Sequence, residues 1–196
     1  MPKISEEQRE RRREQILAGA RRCFAAHGYE GATVIRLEQE TGLSRGAIFN
    51  YFPSKEEIFL ALADRDADRL GRLWADEGLA AVVRALVEED PDWLGTNLEL
   101  VRRMRTDESF RTRWKQRAPE AEERIKTRLE DARAAGEVRD DVPLESVGMF
   151  VGLLMDGLAL RRAAGFPSPE AGTILELVDS AIGGRARSRT PRRTPA

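Results

Sequence analysis

Thr33-Val34-Ile35-Arg36-Leu37-Glu38-Gln39-Glu40-Thr41-Gly42-Leu43-Ser44-Arg45-Gly46-Ala47-Ile48-Phe49-Asn50-Tyr51 is the segment from which the rest of the chain can be read. It holds two helix starts and two stops. Thr33 and Ser44 are hydroxyl residues of the N-cap type, which accept a hydrogen bond from a free backbone N–H of the first turn. Gly42 adopts a left-handed conformation cheaply and stops the first helix after Glu40. Pro53 prevents the second from continuing past Tyr51. The spacing therefore predicts short helices over 33–40 and 44–51, joined by Thr41-Gly42-Leu43. Val34, Leu37 and Leu43 anchor the pair, and Ile48 and Phe49 lie on the buried side of the second helix. A two-turn helix does not persist alone in water. Two of them clamped at a glycine turn, between longer helices, make a helix-turn-helix.

The second helix suits insertion into a DNA groove. Gly46 and Ala47 keep its outer face narrow, and Arg45 presents a fork matching guanine O6 and N7, worth ~1–3 kcal/mol of base discrimination. Thr33, Ser44, Tyr51 and Lys55 are placed to reach phosphates, helped by free N–H groups at helix N-termini. Gly42-Leu43-Ser44-Arg45-Gly46 also satisfies the G-x-S-x-G pattern of a hydrolase nucleophile elbow. That motif needs a preceding strand and a later histidine. Here a helix precedes, and His27, the only histidine, lies upstream, so Ser44 reads as a cap.

Outward from this unit the 3.6-residue periodicity continues in both directions. A helix from about Glu6 to His27 carries an apolar stripe through Ile16, Ala20, Cys23 and Phe24, and Gly28 terminates it. Ser54-Lys55-Glu56-Glu57 is a capping box that opens a helix to about Ala75. Six more helices fall near 78–89, 91–105, 107–117, 119–135, 143–164 and 169–182, which makes the chain all-α. Ala and Leu together outnumber Val and Ile by 45 to 18, in keeping with helix over sheet. The organisation is a head over 1–53, a larger helical body over 54–184, and a basic tail over 185–196 that reads as disordered.

Composition narrows the function. Of 196 residues, 33 are basic and 34 acidic, for a net charge of −1. The charge is uneven: residues 1–60 carry +1, the five arginines of 185–196 carry +5, and the span between them carries −7. A polycation is excluded, and the head is the part suited to a polyanion. Cys23 is the single cysteine, so no internal disulfide forms. Cys23 and His27, at i,i+4, are too few for a zinc site and read as a core thiol and a helix-end imidazole. The first twenty residues hold no apolar signal core, and no run of ~18 apolar residues occurs, which predicts a soluble, cytoplasmic protein without a membrane segment. Arg9, Arg11, Arg12, Arg13, Arg21 and Arg22 form either a solvated face, with Glu10 and Glu14 as partners, or a set of phosphate or minor-groove contacts from Arg11–Arg13.

Cys23-Phe24-Ala25-Ala26-His27-Gly28-Tyr29-Glu30-Gly31-Ala32-Thr33-Val34 and Gly42-Leu43-Ser44-Arg45-Gly46-Ala47-Ile48-Phe49-Asn50-Tyr51-Phe52-Pro53-Ser54-Lys55-Glu56 resemble the N-terminal DNA-binding domain of the TetR family of bacterial repressors, over about residues 10–60. Segments of the body, among them Leu98-Glu99-Leu100, Arg139-Asp140-Asp141-Val142-Pro143 and Leu154-Met155-Asp156-Gly157, resemble a narrower group, the aconitase repressors of actinobacteria. The resemblance implies a homodimer on a palindromic double-stranded operator, DNA contacts at Thr33, Ser44, Arg45, Gly46, Ala47, Asn50, Tyr51 and Lys55, and an effector pocket in the body. Asn50-Tyr51 stands where such proteins often have His-His or Tyr-His, so an operator sequence does not transfer.

The helix over 143–164 is apolar nearly all round and needs cover on two sides. Gly148 and Gly152 admit a close neighbour, and 169–182 offers a second seam through Ile174, Leu175, Leu177, Val178, Ala181 and Ile182. Pairing both with symmetry mates gives a four-helix interface; a monomer core is the competing account. For the effector, Asp156 among Leu153, Leu154, Met155 and Leu158 is costly unless partnered. It either meets a ligand or closes a salt bridge with Arg161 or Arg102. Glu99 is a second candidate, and Glu99 with Asp156 beside arginines suggests hydrated Mg²⁺ carrying a polycarboxylate such as citrate. No cofactor is otherwise required. The competing functions are a TetR-type repressor of drug efflux or another operon, a helical enzyme with a DNA-binding head, and a non-specific nucleoid protein. The single histidine opposes the enzyme, and the near-neutral charge opposes the nucleoid protein.

Overall fold

The computed structural model describes residues 5–117, 119–167 and 170–183. Within them the chain folds into ten α-helices: α1 (Glu6–Gly31), α2 (Val34–Thr41), α3 (Arg45–Phe49), α4 (Lys55–Glu77), α5 (Leu79–Glu88), α6 (Pro91–Thr106), α7 (Glu108–Arg117), α8 (Pro119–Ala134), α9 (Leu144–Ala163) and α10 (Ala171–Ile182). The all-α architecture follows the sequence reading. An isolated antiparallel bridge between Val138 and Gly183 is the one piece of β pairing among the described residues. The basic tail over 185–196 lies outside them.

The caps act as the sequence predicts. Thr33, Ser44 and Ser54 accept from the backbone N–H groups of Arg36, Ala47 and Glu57. Asp90 caps α6, with Pro91 in its first turn. Gly28 takes φ 66° and breaks α1 where a stop is predicted, but one further turn follows to Gly31. The added turn brings Tyr29 into the core, stacked on Phe24 with 5.9 Å between ring centroids.

Two apolar cores form. One gathers Ile16, Phe24, Tyr29, Leu37, Ile48, Ile58 and Phe59 with Trp93 of α6 and Phe110 of α7. The other joins Trp74, Val83, Leu86 and Leu94 to Leu129, Val147, Val151 and Leu158. The head's core therefore does not end at Pro53. It runs into the body through α4, α6 and α7, and the binding unit rests on a wall that the regulatory helices supply. The tryptophans serve as filler, with Trp93 fully buried.

Candidate DNA-binding face and effector cavity

The helix-turn-helix is fastened from three sides. Gly42 takes φ 69°, ψ 20° at the end of α2. Thr41 turns its hydroxyl to Leu37 O (2.7 Å) and accepts from Leu43 N–H (3.2 Å), bridging the turn. Glu38 of α2 accepts from Arg45 N–H at 2.6 Å, so a carboxylate sits on the N-terminus of α3. From α1, Gln15 donates to Thr41 O (2.8 Å) and Arg22 to Glu40 O (2.6 Å), satisfying carbonyls at the end of α2 that have no partner within their helix. The helices approach closely at Gly19, where a Cβ would stand 2.8 Å from Glu40 O and from Thr41 Cα. Gly19 is a residue the sequence does not flag, because nothing local distinguishes it from a weak position inside a long helix.

With the unit held this way, Ile48 is fully buried while Ser44, Arg45, Gly46 and Asn50 are exposed. Gly46 and Asn50, four apart, share the side of the helix opposite Ile48. A Cβ on Gly46 would meet no atom within 4 Å. The Arg45 guanidinium lies over Phe49 at 5.9 Å, tethered by its stem but open to a partner. Ala47 and Tyr51 are half-buried, and exposed Thr33 caps α2. Tyr51 closes a cleft of about 430 Å³ with Gln8, Arg11, Arg12 and Gln15 of α1. This brings two of the predicted arginines beside the reading helix.

Other basic residues do different work. Lys55 donates to Tyr29 O at 2.7 Å, sits 4.4 Å from the Tyr29 ring, and has its ammonium pKa lowered by burial. It pins the end of α1 to the start of α4 rather than standing free for phosphate. Arg22 is used on α2, and Arg21 points into the body. Arg13 lies over the Phe52 ring at 4.7 Å.

Two polar clusters couple head and body, and sequence reasoning found neither. In the first, Arg21 of α1 binds Asp66 of α4 (2.9 Å) and Glu89 (2.8 Å). Trp93 Nε1 donates to Asp66 (2.5 Å), Arg69 binds Glu89 (2.6 Å), and Arg162 of α9 donates to Glu89 O (2.9 Å). In the second, Glu56 at the start of α4 receives Arg103 of α6 (2.7 Å) and Arg113 of α7. Arg103 also lies over Tyr29 and Phe110. Burial is the largest single influence on Arg103 and lowers its pKa, but the hydrogen bond to Glu56 together with the charge interactions with Tyr29, Glu56 and Asp107 outweighs it, and the value is raised. Tyr29 has its phenol pushed up chiefly by burial. Burial likewise pushes the Cys23 thiol up, as for an inert core cysteine.

Helix α6 stands between the head and a cavity. One side grips α1, with Thr96 donating from its buried hydroxyl to Phe24 O at 2.9 Å. The other side faces α9 across about 710 Å³, lined by Leu94, Asn97, Leu98, Val101, Leu153 and Asp156 among others. The candidate effector residues do not all reach it. Asp156 lines the cavity but is exposed, so it escapes the desolvation that would demand a partner. Glu99 lies outside that lining and pairs with Arg102 at 3.0 Å, while Arg102 also approaches Glu30 at 3.6 Å. Arg161 is exposed, with its guanidinium over Phe166 at 4.9 Å. The predicted Asp156 salt bridges to Arg161 or Arg102 are not among the contacts these arginines make. Glu99 and Asp156 do not face one cavity, and no cluster of three His, Cys, Asp or Glu able to hold a metal occurs among the described residues. The two carboxylates therefore do not fit a shared Mg²⁺. Besides Asp156, the polar groups lining the cavity are Asn97 of α6 and the charged Asp66, Arg69 and Glu89, none of which the sequence reading named as effector residues.

Among the described residues no helix is long and apolar enough to cross a membrane. The model for the N-terminal region of bacterial regulatory proteins of the tetR family matches residues 16–62. The transcriptional repressor AcnR of Corynebacterium diphtheriae is 43% identical over 184 residues, covering 93% of this chain and 97% of that protein. A helix-turn-helix transcriptional repressor of Mycobacterium tuberculosis is 42% identical over 184 residues, covering 93% and 98%. The solved structure of Salmonella enterica GusR superposes with a TM-score of 0.72 at 20% identity, over 92% of this chain and 99% of that one.

Proposed function

The chain belongs to the TetR family of bacterial regulatory proteins and is a transcriptional repressor, and from that premise we propose that it works in the cytoplasm as a homodimer on a palindromic operator, responds to a small-molecule effector, and controls an aconitase gene. The observation carrying the DNA reading is the outer face of α3. Arg45, Gly46 and Asn50 are exposed on a helix whose N-terminus, turn and C-terminal partner are all fixed by hydrogen bonds. A preorganised face of that width enters a major groove without ordering cost.

The dimer reading draws on α9 and α10. Met149, Phe150, Leu153 and Leu160 of α9 and Leu177 of α10 are large apolar side chains left exposed. A Cβ on Gly152 or Gly157 would meet nothing within 4 Å, leaving room for a second helix. Gly148 instead lies against Leu129 of α8, at 3.4 Å from such a Cβ. Two copies place two reading helices one turn apart, ~34–36 Å, on successive major grooves.

Ligand response follows from α6, which touches the head on one side and the cavity on the other. A ligand preferring one setting of α6 shifts the spacing of the paired heads by its differential affinity for the two shapes. Helix α4, bearing Asp66 and Glu56, transmits the same movement. The aconitase assignment rests on relatedness to the repressor AcnR, and citrate with Mg²⁺ is the effector that target makes sensible. DNase I footprinting on the DNA flanking this gene and an aconitase gene, with and without citrate and Mg²⁺, tests the reading. A protected palindrome at the aconitase gene, released by citrate and Mg²⁺, is expected. Protection without sequence preference would remove the repressor mechanism, and protection insensitive to citrate would remove that effector.

A further inference from the structure

Helices α1 and α4 border a separate space, a cleft of about 470 Å³ with buried Leu17 and Leu62 in its lining. Its charged lining is four arginines, Arg21, Arg65, Arg69 and Arg72, and three carboxylates, Glu14, Asp66 and Glu89. Every carboxylate is already answered. Glu14 receives Arg65 at 2.6 Å, and Asp66 receives Arg21 at 2.9 Å as well as Trp93 Nε1. Glu89 receives Arg21 at 2.8 Å and Arg69 at 2.6 Å. None of the three pairs with Arg72. The arginines are not used up in the same way. A guanidinium carries five N–H donors, and in these pairs Arg65 engages Nη1 alone and Arg69 Nη2 alone. Four cations against three anions leave the cleft with one net positive charge and with donors to spare.

Arg65, Arg69 and Arg72 stand at i, i+4 and i+7 of α4, on one face of the helix and within about 10 Å along its axis. We propose that this cleft binds a compact polyvalent oxyanion, a molecule with two or three phosphate or carboxylate groups inside that span, held by Arg65, Arg69 and Arg72. Planar guanidinium forks meet such groups two N–H donors at a time. Asp66 and Glu89 are mostly buried and held by Arg21, so the nearest negative charges are locally neutralised. A monovalent ion gains from one arginine at a time and is held weakly in water. Several charged groups on one molecule engage the row together, each raising the effective concentration of the next. Arg12 and Arg45 of the DNA-binding face do not line this cleft. The pairs Glu14–Arg65 and Arg21–Asp66 fasten α1 of the head to α4, so an occupant that shares Arg65 bears on the joint between head and body.

The test is titration calorimetry on the full chain without DNA, in magnesium-free buffer at fixed ionic strength with chloride as the background anion. The probes are pyrophosphate and propane-1,2,3-tricarboxylate. One or both should bind once per chain, and their relative affinity tells whether the site prefers phosphate or carboxylate. Arg72→Gln should weaken that binding roughly tenfold, the effect of losing a hydrogen bond between charged groups, and Arg65→Gln with Arg72→Gln should abolish it. Both residues are exposed, and circular dichroism checks that helix content is kept. Arg12→Gln with Arg45→Gln, on the DNA-binding face, should bind both probes as the wild type does. Absence of binding by both probes, binding that survives loss of Arg65 and Arg72, or binding lost with Arg12 and Arg45 instead would overturn the proposal. No arm of the test uses an operator, so the repressor reading stands or falls separately.

Discussion

Gly46 and Gly19 offer a paired test of how the head is built and what it touches. On Gly46 an added Cβ meets nothing within 4 Å in the free protein. Glycine is the poorer helix former, so Gly46→Ala should stabilise the free head by up to ~1 kcal/mol. The same methyl group lies on the face proposed to sit against base edges. If that face is packed in the complex, overpacking by one carbon costs ~1–3 kcal/mol, about 5- to 150-fold in affinity. Gly19→Ala reverses the sign in the free protein. Its Cβ would stand 2.8 Å from the backbone of Glu40 and Thr41, which cannot turn aside as a side-chain tip can. The propensity gain is offset, and a net loss of roughly 1 kcal/mol or more is expected as α2 is pushed from α1. Urea unfolding gives the stability of each variant, and fluorescence anisotropy on the footprinted duplex and a scrambled one gives affinity and specificity. Gly46→Ala that is more stable and weaker on the cognate duplex supports the reading. Wild-type affinity from Gly46→Ala would refute groove insertion of this face, and an unperturbed Gly19→Ala would refute the tight α1–α2 contact.

Other consequences can be checked independently. Glu56→Gln leaves Arg103 and Arg113 without their shared carboxylate at a mostly buried site. A loss of about 1–3 kcal/mol should appear as a lower Tm, discounted from the fully buried case for partial exposure. Arg45→Ala should relax base preference, seen as converging affinities for cognate and scrambled duplexes. Lys55→Ala should lower Tm, because its ammonium is bound to Tyr29 O; an unchanged Tm would show that the pin is idle. Asp107 accepts from Phe110 N–H and the Ser109 hydroxyl, which hold its carboxyl below the ordinary value of 3.8. The stability it contributes is present above that value and lost as pH falls through the lowered one. Asp107→Asn should therefore flatten the acid side of the stability profile, followed by circular dichroism, and leave the neutral side nearly level.

Local chemistry set much of this protein. The cap residues Thr33, Ser44, Ser54 and Asp90 and the terminators Gly42 and Pro53 act on their own neighbours within a turn, so sequence suffices to place the helix boundaries they govern and the motif they frame. Periodicity likewise marked α9 as needing cover on two sides. What remained hidden depends on contacts between residues far apart in the chain. Arg21 with Asp66 and Glu89, Glu56 with Arg103 and Arg113, and Thr96 with Phe24 arise only when α1, α4 and α6 cross. The same crossing gave Lys55 to Tyr29, left Asp156 in water, and put Asn97 at the cavity wall. Helix type is decided by each residue's own backbone and neighbours. Which face meets which partner is decided by how the helices pack, and that is where the ion pairs and the cavity were settled.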